Sequence, residues 1–89
     1  MIDRSIVTIC LMDKDRVLYE SDYELSADIL VEDLKKALIT ALQKDVRDLM
    51  TGVSTIRIFN CNPETELADD QTLASAGIWD GGKLVIRRQ

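Results

Sequence analysis

The last third of the chain constrains the fold more than any other segment, because glycines interrupt its apolar residues at two points. Thr72 can cap a short helical turn, and Gly77 can end that turn with a positive φ angle. The residues Asp80-Gly81-Gly82 then supply positive-φ positions for a tight turn. The segment therefore predicts a helical turn, a tight turn and a closing strand. The apolar residues whose spacing sets this pattern are Leu67, Leu73, Ile78, Leu84 and Ile86.

Length and charge limit the function classes. A chain of 89 residues can form one modest core, so residues 1–89 are predicted to be a single domain without a second catalytic lobe. The net charge is −5, and the sequence has no stripe of basic residues of the kind that binds nucleic acid or an anionic membrane. There is no apolar run near the roughly 20 residues of a membrane span and no signal peptide at the start. We expect a cytoplasmic protein without direct membrane insertion.

The sequence lacks the commonest catalytic residue type and the common catalytic motifs. There is no histidine, which is the commonest general base and metal ligand. No nucleophile motif or glycine-rich phosphate loop is present. The sequence has pairs of closely spaced acidic residues, but they lack the spacing and the further oxygen ligands of a calcium loop. Cys10 and Cys61 are expected to be reduced, as small hydrophobic residues or surface thiols. The sequence therefore predicts a non-enzyme with no catalytic residues, metal or cofactor.

The first third has the pattern of a β-hairpin. Runs rich in β-branched and aromatic residues at 6–12 and 16–25 are separated by Asp13-Lys14-Asp15. The two-residue period of a strand places alternate side chains on one face. The residues predicted to face inward are Val7, Ile9 and Leu11 on the first strand, and Val17, Tyr19, Tyr23 and Leu25 on the second.

After Asp28 the apolar period becomes helical. The buried stripe is predicted to contain Val31, Leu34, Leu38, Ala41, Leu42 and Leu49. Asp28 is predicted to be the N-cap, and Gly52 marks the end of the helical region. Two alternatives remain for the stretch between Leu42 and Gly52: one long helix, or a helix broken into two pieces.

A third strand is predicted at residues 55–60, followed by a loop at 61–66. Ile56 and Ile58 share one strand face, and Arg57 and Phe59 share the other. The element order is then β-β-α-β-short helix-β. A hairpin, a crossover helix and a last strand that lies beside the first favour an α+β fold of the β-grasp type, with a mixed β-sheet packed on one main helix.

Three segments resemble one family. YELSADILVEDL at 23–34 is similar to the strand-to-helix junction of the YukD/EsaB ubiquitin-like proteins of type VII secretion, and of the related EccD N-terminal ubiquitin-like domain. IRIFN at 56–60 and TLASAGIWDGGKL at 72–84 resemble the third strand and closing segment of that family. The resemblance covers most of residues 7–87. It departs from the family at Ser26 and Leu30, where proline is frequent, and in a longer stretch before the third strand.

This resemblance implies a ubiquitin-like accessory or regulatory binding module of a type VII (ESX-like) secretion system of Gram-positive bacteria. Its implied partner is a protein, a cytosolic-facing component of the secretion membrane complex, which would hold it at the inner face of the membrane. Self-association is left open. Because the chain stops at Gln89 without a terminal diglycine, we expect no conjugation. The alternatives are a stand-alone β-grasp interaction domain of another pathway, and a ubiquitin-like modifier or sulfur carrier.

The predicted binding surface is the sheet face opposite the helix. Outward residues of the first, third and last strands should converge there, with an apolar centre and a basic rim. The predicted partner-binding residues are Cys10, Arg57, Phe59, Trp79, Lys83, Val85 and Arg87. An alternative for Phe59 is a position under the loop at Asn62-Pro63. An alternative for Trp79 is a lid over the edge of the core.

Overall fold

Five strands form one mixed sheet, and a helix packs on one of its faces. The computed structural model describes residues 4–61 and 63–89. Its elements are β1 (Arg4–Asp13), β2 (Arg16–Ser26), α1 (Val31–Asp45), α2 (Arg47–Met50), β3 (Ile56–Asn60), β4 (Thr65–Glu66) and β5 (Lys83–Arg88). The strand order is β2-β1-β5-β3-β4, with β5 parallel to β1 and antiparallel to β3. The last strand therefore lies between the first and the third, as predicted.

The β1–β2 hairpin turns at Lys14, whose φ angle is 53°. Val7, Ile9 and Leu11 are completely buried, as predicted. The pairing register shifts after Leu11, which lies opposite Tyr19, while Met12 lies opposite Val17.

This irregularity corrects one prediction about β2. The extra residue, Leu18, packs against the core, whereas Val17 is 55 % exposed. The prediction that Val17 faces inward was wrong, because the bulge adds one residue between Val17 and Tyr19. The two residues therefore point to opposite faces of the sheet. Tyr19, Tyr23 and Leu25 follow the bulge along β2 and are partly buried against the core.

Helix α1 begins two residues later than predicted. Its N-cap is Leu30, in an extended conformation and without a side-chain capping hydrogen bond. The first-turn amides of Val31 and Glu32 instead donate to the carbonyls of Gln71 and Asp69, at 2.8 and 3.2 Å. The prediction of Asp28 as N-cap was therefore wrong, because a distant segment satisfies these helix donors.

The helical region is broken into two pieces, the second of the two predicted alternatives. Val46, with φ −139° and ψ 59°, separates α1 from the four-residue α2. Gly52 follows α2 with φ 75°. The helical residues with almost no exposed surface are Val31, Leu34, Leu38, Leu42 and Met50. Ala41 and Leu49, also predicted in this stripe, are half-buried.

The segment before β5 is built from turns. The Ser75 amide donates to Thr72 Oγ1 at 3.0 Å, and the Thr72 amide donates to Ser75 Oγ at 2.9 Å. Gly77 follows with φ 78°, so the predicted start and end of this turn are both found. The predicted loop at 61–66 needs a correction, because it contains β4, which pairs with Phe59 and Asn60.

Candidate protein-binding surface

The sheet face opposite α1 brings together the side chains that the sequence placed there. Thr8 lies opposite Lys83, and Cys10 lies opposite Val85 in the parallel β1–β5 pair. In the antiparallel β3–β5 pair, Phe59 lies opposite Val85 and Arg57 lies opposite Arg87. We call the exposed part of this face, Arg57, Phe59, Lys83 and Arg87, the outward surface.

Two of the predicted contact residues lie beneath this surface. Cys10 has no exposed area and Val85 is 4 % exposed. Burial is the main cause that raises the pKa of the Cys10 thiol, and the nearby Lys83 opposes it. The prediction that Cys10 and Val85 offer contact area is corrected by their burial, since they support the surface from below.

Phe59 lies between two arginines. The guanidinium carbons of Arg57 and Arg87 are 5.0 and 6.0 Å from the centroid of its ring. These distances are within the range of cation–π attraction. Phe59 is half-buried, so part of its side chain remains accessible beside the two cations. The alternative for Phe59 places it under a loop that contains Asn62. Asn62 lies outside the described residues.

Each of these arginines is bound to its own glutamate. Arg57 donates two hydrogen bonds to Glu66, at 2.7 and 2.9 Å, and Arg87 donates to Glu64 at 2.8 Å. The hydrogen bond from Arg57 is the largest cause of a lowered pKa of the Glu66 carboxyl. The same pair raises the pKa of Arg57.

Lys83 has an acidic partner on β2, on the same sheet face and on the far side of β1. Its ammonium nitrogen is 3.3 Å from Glu20 Oε1. The hydrogen bond to Glu20 is the largest cause that raises the pKa of Lys83. The predicted basic rim therefore needs a correction, because all three of its cations face carboxylates from β2 or the β4 region.

Sequence reasoning missed Glu20, Glu64 and Glu66. The strand period contained a signal for Glu20, because it places this residue on the outward face of β2, whereas its position opposite Cys10 and across β1 from Lys83 depends on the bulge. Glu64 and Glu66 had no such signal. They belong to a segment predicted as loop, and a loop has no register from which to assign partners.

Trp79 lies apart from Phe59, at the turn before β5. The Gly81 amide donates to the Ile6 carbonyl at 2.8 Å, and Asp80 Oδ1 accepts from the Ile6 amide at 2.7 Å. These bonds place the turn beside the first half of β1. Trp79 is 63 % exposed and Ile6 46 %. Such exposure is too high for a lid over the core, so Trp79 is available for contact.

No site for a metal ion is evident in the part of the chain that the structure describes. Within residues 4–61 and 63–89, no three His, Cys, Asp or Glu side chains are grouped so that they could hold one. Among the helices of the same residues, none is long and apolar enough to cross a membrane.

The sheet order, the single packed helix and the buried core between them define a ubiquitin-like domain of the α+β class. The sequence profile of one family, described as "WXG100 protein secretion system (Wss), protein YukD", matches residues 4–86. The chain belongs to the YukD family. This confirms the family resemblance inferred from the three sequence segments.

Solved structures with the same fold include two ubiquitin-like domains. The EccD5 ubiquitin-like domain from Mycobacterium xenopi is 19 % identical with a TM-score of 0.70, covering 98 % of this chain and 96 % of that one. The UBL domain of Plasmodium falciparum Dsk2 is 22 % identical with a TM-score of 0.69, covering 98 % and 100 %.

A much longer chain also contains this fold. It comes from a structure described as the MycP5-free ESX-5 inner membrane complex, with a TM-score of 0.67 and 20 % identity. The alignment covers 96 % of the present chain and 21 % of the longer one. No curated protein sequence gives a significant match.

Proposed function

We propose that this chain is a non-conjugated accessory or regulatory binding module of a type VII secretion system. It acts at the cytosolic side, where it binds a protein component of the secretion membrane complex. The observation that carries this proposal is the family match over residues 4–86. The presence of the same fold within a chain of the ESX-5 inner membrane complex supports the assignment of a membrane-complex partner.

The outward surface supports a binding role. The Phe59 ring is framed by cations whose glutamate partners are exposed, so a partner can contact the accessible part of this side chain and compete for the same ion pairs. Besides the half-buried Phe59, Trp79 supplies an exposed aromatic side chain at the end of the sheet. Aromatic residues and arginine are enriched at the energetic centres of protein interfaces.

Secretion measurements test the assignment to this pathway. In cells of the source organism, deletion of the chain should reduce export of small helical WXG-type substrates, and the parent chain should restore it. The tagged chain should also co-purify with components of the secretion membrane complex after detergent solubilisation. Unchanged export after deletion, together with no complex component in the purified sample, would reject the proposal in favour of an interaction domain of another pathway.

Hydrogen bonds hold the internal diglycine within the fold, and this supports the non-conjugated part of the proposal. Gly82 donates its amide to the Trp79 carbonyl at 2.8 Å, and its own carbonyl accepts from the Thr8 amide at 2.9 Å. This diglycine is therefore a fixed turn. Intact mass spectrometry of the chain from native cells should give the unmodified mass, whereas a series of heavier adducts or a thiocarboxylate would identify a modifier or sulfur carrier.

A further inference from the structure

The outer edge of β2 is a long free edge of the sheet. β2 stands first in the strand order, so among residues 4–61 and 63–89 it pairs with β1 alone, and it is 11 residues long. The strand at the opposite edge, β4, has only two residues. A long free edge offers unpaired backbone N–H and C=O groups to which another strand can be added.

The hydrogen bonds of β1 reveal which residues of β2 have free backbone groups. The Thr8 amide donates to the Gly82 carbonyl at 2.9 Å, so the backbone groups of Thr8 point towards β5. Asp22 lies opposite Thr8 in the antiparallel β1–β2 pair. Because facing residues in such a pair either bond to each other or both point away, the N–H and C=O of Asp22 point to the free edge.

The same alternation applies to the residues two positions before and two positions after Asp22. Glu24 lies opposite Ile6, whose carbonyl accepts from Gly81 on the β5 side. Glu20 lies opposite Cys10, two residues beyond Thr8. The free backbone groups at the middle of this edge therefore belong to Glu20, Asp22 and Glu24.

These three residues also place three carboxylates on one side of the edge. Glu20 and Glu24 have side chains that are 47 % and 56 % exposed, and Asp22 is exposed as well. Each carboxylate has one partner within the chain, which an incoming basic side chain would share: Lys83 at 3.3 Å for Glu20, Arg4 at 3.8 Å for Glu24 and the Thr8 hydroxyl at 2.7 Å for Asp22. On the opposite side, towards α1, the partly buried Tyr19 and Tyr23 lie against the core. A strand added here would meet acidic groups on one face and aromatic groups on the other.

We propose that the free edge of β2 binds, by strand addition, an extended segment of a partner protein with basic residues at alternate positions and apolar residues between them. The basic side chains lie beside Glu20, Asp22 and Glu24, and the apolar ones lie beside Tyr19 and Tyr23. This edge adjoins the outward surface through the contact between Glu20 and Lys83, but it binds through the backbone of β2 and not through Phe59. The inference does not depend on the secretion assignment.

The charges disfavour a second copy of the chain as the occupant. Antiparallel pairing of two β2 edges centred on Asp22 would place Asp22 opposite its own copy, and Glu20 opposite Glu24. Directly opposed like charges destabilise a strand pair, whereas opposite charges stabilise it. The edge is therefore selective for a basic strand.

Amide hydrogen exchange measured by NMR tests this binding mode. The probe is a peptide of about ten residues with alternating lysine and valine, which spans most of β2. In the free protein, the Ser21 and Tyr23 amides should be protected by β1, and those of Glu20, Asp22 and Glu24 should exchange quickly. The peptide should slow exchange at these three alternate amides. Binding without this protection, or no binding, would overturn the proposal.

Two substitutions of Asp22 separate the backbone contribution from the charge. Asp22→Pro removes an N–H that points to the free edge without removing a backbone hydrogen bond to β1. Both substitutions remove the side-chain hydrogen bond that Asp22 Oδ1 accepts from Thr8 Oγ1 at 2.7 Å, so this loss is matched between them. Asp22→Ala removes the same carboxylate and keeps the N–H. Asp22→Ala should weaken peptide binding about threefold, and Asp22→Pro should abolish the protection at Glu20 and Glu24. Ser21 and Tyr23 report in the same spectra whether β2 remains paired. Equal binding by the two variants would reject strand addition.

A charge reversal tests the chemistry of the partner. The triple variant Glu20→Lys, Asp22→Lys, Glu24→Lys should prefer a peptide of alternating glutamate and valine by about tenfold over the lysine peptide. The control, Asp28→Lys, Asp48→Lys, Asp70→Lys, changes the net charge equally at exposed sites elsewhere and should retain the lysine preference. If both triple variants show the same preference, the net charge of the protein explains the selectivity and the proposal fails.

Discussion

Arg57 contacts Phe59 and Glu66 at the same time, with its guanidinium carbon 5.0 Å from the ring centroid and its nitrogens 2.7 and 2.9 Å from the carboxylate oxygens. One side chain therefore connects β3 to β4 and covers one face of the aromatic ring. A shift of the Arg57 side chain would therefore change both the charge of the outward surface and the exposed fraction of Phe59.

Core substitutions should separate inward from outward residues. Leu38→Ala and Ile86→Ala should each lower the free energy of unfolding by about 2–5 kcal/mol, because each empties a position in the buried helix–sheet core. Lys36→Ala, at an exposed position of α1, should change it by less than about 0.5 kcal/mol. Denaturant melts measure all three, and core variants with parental midpoints would contradict the face assignment.

The Arg57–Glu66 pair should contribute to stability in a pH-dependent way. The folded protein lowers the pKa of Glu66 below its ordinary value of 4.5, so the folded state favours the ionised carboxylate. The contribution is then complete above pH 4.5 and is lost as the pH falls through the lowered folded-state pKa. The difference in stability between the parent and Glu66→Gln should disappear over that acidic range. A difference that stays constant with pH would show that the ionisation of Glu66 is not involved.

Substitutions at the two neighbouring glycines should differ in what restores stability. Gly81 has φ 84° and open space around it, whereas a Cβ at Gly82 would lie 2.8 Å from the Trp79 carbonyl oxygen. Gly81→Ala should cost about 1–2 kcal/mol, and Gly81→Asn should cost less, because asparagine tolerates the left-handed conformation. Gly82→Ala should cost about 1–3 kcal/mol, with no relief from asparagine. Thermal melts of the four variants check this, and relief by asparagine at Gly82 would argue against the steric explanation.

The residues that sequence reasoning placed correctly are those governed by local periodicity. Val7, Ile9 and Leu11 follow the strand period, and Leu34 and Leu38 follow the helix period, so burial could be inferred from spacing alone. Together with the closing segment, these patterns were sufficient to predict the ubiquitin-like fold.

The errors arose where a distant segment decides the local structure. The bulge that exposes Val17 depends on pairing with β1, and the start of α1 depends on the carbonyl of Gln71. The neutralisation of Arg87 by Glu64 depends on where the segment after β3 lies. None of these contacts leaves a repeating pattern in the sequence.

The central claim, that the outward surface binds a protein partner, is tested most directly by paired measurements on Phe59→Ala: its thermal melt and its co-purification with the secretion membrane complex. Partner binding should weaken by about 1–4 kcal/mol, while stability should fall by less than in Leu38→Ala, because a surface anchor contributes binding energy without filling the core. A Phe59→Ala protein that melts like Leu38→Ala would assign Phe59 to the core. One that is stable and binds its partner normally would contradict the claim and make Trp79 the next residue to test.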